Sequence, residues 1–112
     1  MPGTIKRLAG PLALTNTLTT NVYNNTSALI YDVLKHIHVV NKTGGAVTFS
    51  LWLGATGANA AGTELFNGQS VAANSVYDWY GNLKMVSTDF LVGGASASTS
   101  LTITIEGEQY VV

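Results

Sequence analysis

A strict two-residue alternation of apolar and polar side chains in two segments constrains the fold of this chain more than any other feature. Residues 46–53 read AVTFSLWL, in which the odd positions are apolar and the even positions carry threonine, serine and an outward Trp52. Residues 100–106 read SLTITIE, with three aliphatic side chains on one face and polar ones on the other. Successive side chains of a strand point to opposite faces, so both segments are predicted to be half-buried strands. Almost no segment has the three-and-four spacing of an amphipathic helix.

A longer β-branched run follows the same logic between residues 29 and 41. Residues 41–45, NKTGG, then supply a turn before the 46–53 strand, and this order predicts a β-hairpin. The glycine- and alanine-rich stretch 55–62 is predicted to be a loop. In the 29–41 run the expected core-facing side chains are Leu29, Tyr31, Val33, Ile37 and Val39.

Turn signals recur about every eight to twelve residues in the second half, which is typical of sandwiches and barrels. The sequence therefore predicts an all-β protein, a single antiparallel β-sandwich that is jelly-roll-like, with about eight strands. We expect an N-terminal arm or edge strand over residues 1–14, because Pro11 disfavours a central strand, and the sandwich over residues 15–112. Further short strands are predicted over residues 64–66, 75–80, 83–86 and 90–95, separated by turns at 67–68, 73–74, 81–82 and 96–99.

The charge balance excludes several classes of partner. Five Lys plus Arg against six Asp plus Glu give a net charge of −1, without the basic patch that nucleic acid or an anionic membrane would require. Charged residues make up 10% of the chain, well below the roughly 25% usual for soluble domains. Such a weakly charged surface suggests residence in a larger assembly. Cysteine is absent, so thiol chemistry and disulfides are excluded.

The histidines are the one candidate for metal chemistry. His36 and His38 are two residues apart, which places both imidazoles on one face of a strand, and Asp32 has the same parity. A degenerate cupin-like enzyme with a metal on the two histidines is therefore one hypothesis. Two half-buried histidines bonded to backbone carbonyls or a neighbouring subunit are the simpler interpretation. The carboxylates are dispersed and no serine lies in a nucleophile elbow, so we expect no catalytic residue, cofactor or metal, and no enzymatic activity.

The aromatic residues allow another function. Trp52, Trp79 and Tyr80 could form a surface that binds carbohydrate or protein, since alternation directs some of them outward. Trp52 is out of phase with its apolar neighbours and is either a core residue of a second layer or an interface anchor. A carbohydrate-binding sandwich that attaches particles to cell-surface glycans is the hypothesis that follows.

Four segments in the middle of the chain resemble a known group of proteins. They are LKHIHVVNKTGG (34–45), VTFSLWLG (47–54), GTELF (62–66) and VAANSVYDW (71–79). Together they resemble small structural proteins encoded in the virion gene clusters of tailed bacteriophages, over about residues 30 to 80. The resemblance implies a β-sandwich displayed on or built into the capsid or the head-to-tail region, with no catalytic motif.

The leading hypothesis from this resemblance is a virion decoration or cementing protein, which binds the lattice of the major capsid protein or other virion proteins. We expect a homo-oligomer, with a trimer at three-fold positions of the capsid surface as the favoured form. A neck or tail component is the alternative within the virion. The expected partner interface combines apolar and cationic contacts of the N-terminal segment with the aromatic residues, namely Ile5, Lys6, Arg7, Trp52, Trp79 and Tyr80.

Overall fold

The computed structural model describes residues 3–112, and the described part of the chain contains eight β-strands and no helix. The first two residues of the expected N-terminal segment lie outside this range. No helix long and apolar enough to cross a membrane occurs among the described residues. The strands are β1 (Thr4–Ala13), β2 (Asn21–Tyr23), β3 (Ile30–Asn41), β4 (Val47–Gly54), β5 (Glu64–Val71), β6 (Ser75–Met85), β7 (Phe90–Ala95) and β8 (Leu101–Val111).

The strands form two four-stranded antiparallel sheets. Sheet A has the order β1-β8-β3-β6 and sheet B the order β2-β7-β4-β5. Strand β1 pairs with β8, β2 with β7, β3 with β6 and β4 with β5, which is the pairing of an eight-stranded jelly roll. The predicted all-β, eight-stranded antiparallel sandwich is confirmed. Strand β1 lies at the edge of sheet A.

The core lies between the inward faces of the two sheets. Strand β8 contributes Leu101, Ile103 and Ile105, all fully buried, as its alternation predicts. Strand β4 contributes Phe49 and Leu51, and the ring of Phe49 packs against aromatic rings of β5 and β6. These side chains belong to one apolar cluster that spans both sheets. Burial of this cluster is the main force that holds the sandwich together.

The predicted core phase of the 29–41 run is wrong in its first half. Strand β3 buries Asp32 and Leu34 before Ile37 and Val39, whereas Leu29 precedes the strand and is 75% exposed. The reason is a β-bulge: the register of β3 shifts between Leu34 and the next paired residue against both of its neighbours. A bulge inserts one residue and so exchanges the inward and outward faces.

Two predicted turns and one predicted hairpin are also corrected. The pairs Asn67-Gly68 and Gly81-Asn82 lie inside the continuous strands β5 and β6, at register shifts in their pairing with β4 and β3. Glycine is common at both bulges and turns, so composition does not separate the two. The turn after β3 does reverse the chain, but β3 and β4 belong to different sheets. It therefore joins the two sheets instead of closing a hairpin.

The side chain of Asn41 stabilises this crossing between the sheets. Asn41 is fully buried at the end of β3, and its amide nitrogen donates to the carbonyl oxygens of Gly45 at 2.9 Å and Val71 at 3.0 Å. Its amide oxygen accepts from the backbone nitrogen and the hydroxyl of Thr43 at 2.9 and 2.7 Å. One side chain thus links sheet A, the connecting turn and the end of β5 in sheet B.

Candidate functional site on the outer face of sheet A

The surface of sheet A that faces away from the core carries most of the chemically distinctive side chains. Residues directly opposite one another on paired strands share a face. One row of opposite residues crosses all four strands and consists of Arg7, Glu106, His36 and Tyr80. In the neighbouring row, His38 lies opposite Asp78. We call this surface the outer face, and define it by Ile5, Arg7, His36, His38, Asp78, Tyr80, Glu106 and Glu108.

His36, His38 and Asp78 form a hydrogen-bonded group that we call the His–Asp cluster. The Oδ1 atom of Asp78 lies 2.7 Å from Nε2 of His36 and 2.6 Å from Nδ1 of His38. One donor atom from each of the three side chains lies within 4.8 Å of the others. The i, i+2 spacing on β3 places both imidazoles on the outer face, as the sequence predicted. The carboxylate comes from the neighbouring strand β6.

The cluster is electrostatically coupled. Hydrogen bonds from His38, and then from His36, hold the pKa of the Asp78 carboxyl below its ordinary value. Desolvation lowers the pKa of His36, but hydrogen bonds to Asp78 and Glu106 together outweigh it, so the pKa lies above the ordinary 6.5. Both shifts favour the charged form of the group concerned.

Two contacts fix the orientation of the His36 ring. Its Nδ1 atom lies 3.2 Å from Oε1 of Glu106 on β8. The ring of Tyr80 stacks on it with a centroid separation of 4.5 Å and an interplanar angle of 2°. Tyr80 itself is 72% exposed, so much of its ring remains open to solvent. The imidazole is therefore held in place from its edge and from its face.

A shallow groove of about 380 Å³ adjoins the cluster on the β1 side. Its lining mixes one apolar side chain with cationic and anionic ones, and Lys35 lies 4.0 Å from Glu108 across it. Ile5, at 85% exposure, is the most exposed large apolar side chain described. The groove thus combines an exposed apolar side chain with a pair of opposite charges.

The six residues predicted for a partner interface separate into two groups. Ile5, Lys6, Arg7 and Tyr80 are exposed, and the first three lie in strand β1. Trp52 is only 8% exposed and lies opposite the buried Val92 on β7. Trp79 packs inward against the core cluster. The alternatives for Trp52 thus resolve to a buried position within the monomer, and neither tryptophan belongs to the outer face.

The predicted third metal ligand is also placed differently. Asp32 is fully buried on the inner side of sheet A, where it accepts hydrogen bonds from the hydroxyl of Tyr23 and from Gln109. Because of the bulge in β3 between Leu34 and His36, Asp32 faces the core whereas the histidines face outward. Asp78 takes the position beside the histidines instead. The sequence contains no local signal for this, because the contact depends on the register between β3 and β6.

Comparisons with known proteins give a similarity at the level of solved structures. No family model matches the chain, and no curated protein matches it. Among solved structures, it is similar to a chain in the structure of infectious bursal disease virus Gt strain, with 9% sequence identity and a TM-score of 0.37. The alignment covers 96% of this chain and 29% of that one, so the present chain spans less than a third of its length.

Proposed function

We propose that this protein is a non-enzymatic structural component of a tailed-phage virion, which decorates or cements the capsid by binding the lattice of the major capsid protein. The observation that carries the proposal is the jelly-roll strand order, 1-8-3-6 facing 2-7-4-5. Capsid proteins, lectins and cupins all use this architecture, so the surface must decide among them. The resemblance of residues 30–80 to phage structural proteins favours a capsid-associated protein over a lectin or a cupin.

The outer face supports binding to another protein. Ile5 and Tyr80 are large, exposed side chains on opposite edge strands of sheet A, and between them lie both histidines and paired charges. Exposed aromatic and aliphatic side chains flanked by polar groups are typical anchors of protein interfaces. Strand β1 also presents an unpaired edge to which another strand can add. A weakly charged surface fits permanent burial in an assembly.

The geometry argues against the other two jelly-roll functions. An enzyme of this size normally encloses its substrate in a concave pocket, whereas the His–Asp cluster lies on an open sheet surface. The carbohydrate hypothesis relied on three aromatic residues, of which Trp52 is buried and Trp79 packs against the core cluster. Tyr80 alone remains exposed. A glycan array tests this hypothesis directly, and binding abolished by Tyr80→Ala would favour it over capsid binding.

The experiment that tests the proposal compares virions with and without the protein. We expect the protein in purified virions, and we expect particles that lack it to lose infectivity faster on heating and in low salt. Image reconstruction at a resolution that traces the chain would locate it on the capsid surface, and three-fold symmetry would support the trimer. Density at the neck or tail would favour that alternative. Absence from purified virions, with unchanged particle stability, would refute a virion role.

A pair of variants tests the outer face itself. Deleting the N-terminal segment would remove the whole of strand β1, so a substitution is the cleaner perturbation. The double variant Ile5→Glu, Tyr80→Ala should weaken binding to particles at least about 30-fold and so lower their occupancy, because losing even one interface anchor costs about 2 kcal/mol. Ala73→Glu, in an exposed loop outside the outer face, is the matched control. Equal occupancy of both proteins would exclude this face as the contact surface.

A further inference from the structure

The His–Asp cluster has the donor set of a metal centre and lies outside the packed core. Two imidazole nitrogens and one carboxylate oxygen converge from β3 and β6. Imidazole ligands suit zinc and its first-row neighbours, and two histidines with one carboxylate form a recurrent triad for such ions. We propose that His36, His38 and Asp78 bind one divalent first-row transition-metal ion, with Zn²⁺ as the representative. This proposal does not depend on the virion role.

The observed distances are compatible with an inserted ion. Metal–ligand bonds of about 2.0–2.1 Å at tetrahedral angles place neighbouring donor atoms about 3.3 Å apart. The Asp78 oxygen now lies 2.7 and 2.6 Å from the two imidazole nitrogens. To bind an ion, these two separations must open by about 0.7 Å, and the two imidazole nitrogens, which lie within 4.8 Å of each other, must reach the same spacing. Asp78 is exposed, so its side chain can move. In binding, the ion replaces protons that the imidazoles now share with the carboxylate.

Glu106 provides an independent reason to assign a metal to this group. Metal-binding histidines typically donate their second ring nitrogen to a carboxylate, which fixes the tautomer and strengthens the ligand. Glu106 accepts from Nδ1 of His36, which leaves Nε2 directed at the cluster. The stacked ring of Tyr80 fixes the plane of the same imidazole. His36 is therefore oriented as a ligand before any ion arrives.

The position of the cluster determines what kind of site it is. All three donors lie on the outer face and are partly open to solvent, with 22%, 34% and 31% of the side chains of His36, His38 and Asp78 exposed. Three protein ligands leave at least one coordination position for water or for a donor from another chain. The site is therefore an open surface site on the face proposed to contact a partner.

Calorimetric titration of the metal-stripped full chain with ZnCl₂ near neutral pH tests the proposal. We expect one Zn²⁺ per chain, and a loss of affinity of more than about 100-fold in His38→Ala and in Asp78→Asn, since even outer-shell changes cost 10- to 100-fold. Glu106→Gln should weaken binding about tenfold. Glu64→Gln, which neutralises an exposed carboxylate on sheet B, is the matched control and should bind as the unmodified chain does.

A spectroscopic readout on the unmodified protein avoids reliance on variants that fail to fold. His36 and His38 are the only histidines in the chain, so their imidazole C–H resonances report the site directly. Both sets should shift and saturate with the first equivalent of Zn²⁺. Absence of Zn²⁺ binding, a shift of one imidazole only, or equal affinity in the folded His38→Ala and Asp78→Asn variants would overturn the assignment. An unchanged affinity in Glu106→Gln would remove the orienting role of Glu106.

Discussion

The buried side chain of Asn41 is the most informative residue for testing how the two sheets are joined. It makes four hydrogen bonds, to Gly45, Val71 and twice to Thr43, and is fully buried. The perturbation is Asn41→Ala, which removes all four and leaves a small void at the point where the chain crosses from sheet A to sheet B. Lys42→Ala, the exposed neighbour in the same turn, is the control.

The expected loss of stability can be worked out from these bonds. A buried hydrogen bond contributes about 0.5–1.5 kcal/mol net, and a group left without its partner costs about 1–3 kcal/mol. The Thr43 hydroxyl, which has one proton, also lies 2.9 Å from the oxygen of Gly45, so after the change it is free to donate to that oxygen. We therefore expect a loss of about 3 kcal/mol in the free energy of unfolding. At this chain length that lowers Tm by about 12 °C.

Equilibrium unfolding in urea measures this loss, with tryptophan fluorescence as the signal because Trp52 is buried in the native protein. Lys42→Ala should stay within about 0.5 kcal/mol of the unmodified chain. Thr43→Val removes the hydroxyl donor but not the backbone one, and should fall between the two. A loss below about 1 kcal/mol in Asn41→Ala would refute the view that this side chain holds the sheets together.

Three further comparisons test other parts of the fold. Burial, and then the hydrogen bond to a buried carboxylate, raises the pKa of Tyr23 well above its ordinary 10.0, so the folded chain keeps a proton that the unfolded chain loses above about pH 10. Stability should therefore fall as the pH rises past that point, by up to about 1.4 kcal/mol per pH unit, and Tyr23→Phe should remove that part of the slope. In Gly107→Ala the added Cβ would lie 2.1 Å from a backbone oxygen of β3, so we expect a loss of about 2 kcal/mol, whereas Gly44→Ala has free space and should be near neutral. Trp52→Ala should cost about 3 kcal/mol and Tyr80→Ala less than about 1 kcal/mol, because only the first side chain is buried.

Urea unfolding decides each of these comparisons, with far-ultraviolet circular dichroism as the signal, because Trp52→Ala removes the buried fluorescent side chain. An identical alkaline slope in Tyr23→Phe would show that this phenol does not cause the loss. Equal stabilities of Gly107→Ala and Gly44→Ala would contradict the close approach of β8 to β3. Equal losses in Trp52→Ala and Tyr80→Ala would contradict their assignment to the interior and the surface.

How far the sequence predicts the fold depends on whether a feature is local. Strands β4 and β8 follow from their own alternation, because the pleat of a strand alone decides which side chains share a face. Which side chains of β3 face the core does not follow from its alternation, because one bulged residue exchanges the two faces. The sequence contains no signal for that bulge. The Asn41–Gly45 turn is equally ambiguous, because turn residues show that the chain reverses but not which strand it then pairs with.

The amino-acid sequence alone determines that this protein is an all-β sandwich of about eight strands and that both imidazoles share a face. The periodicity that carries this information spans only a few neighbouring residues. Only the tertiary structure decides the jelly-roll order, the burial of Trp52, the packing of Trp79 against the core, and the contacts of Asp78 and Glu106 with the two histidines. Those contacts join residues 40 and 70 positions apart, and they depend on strand pairing and register. Register is set by the packing of the whole core, so no short segment encodes it.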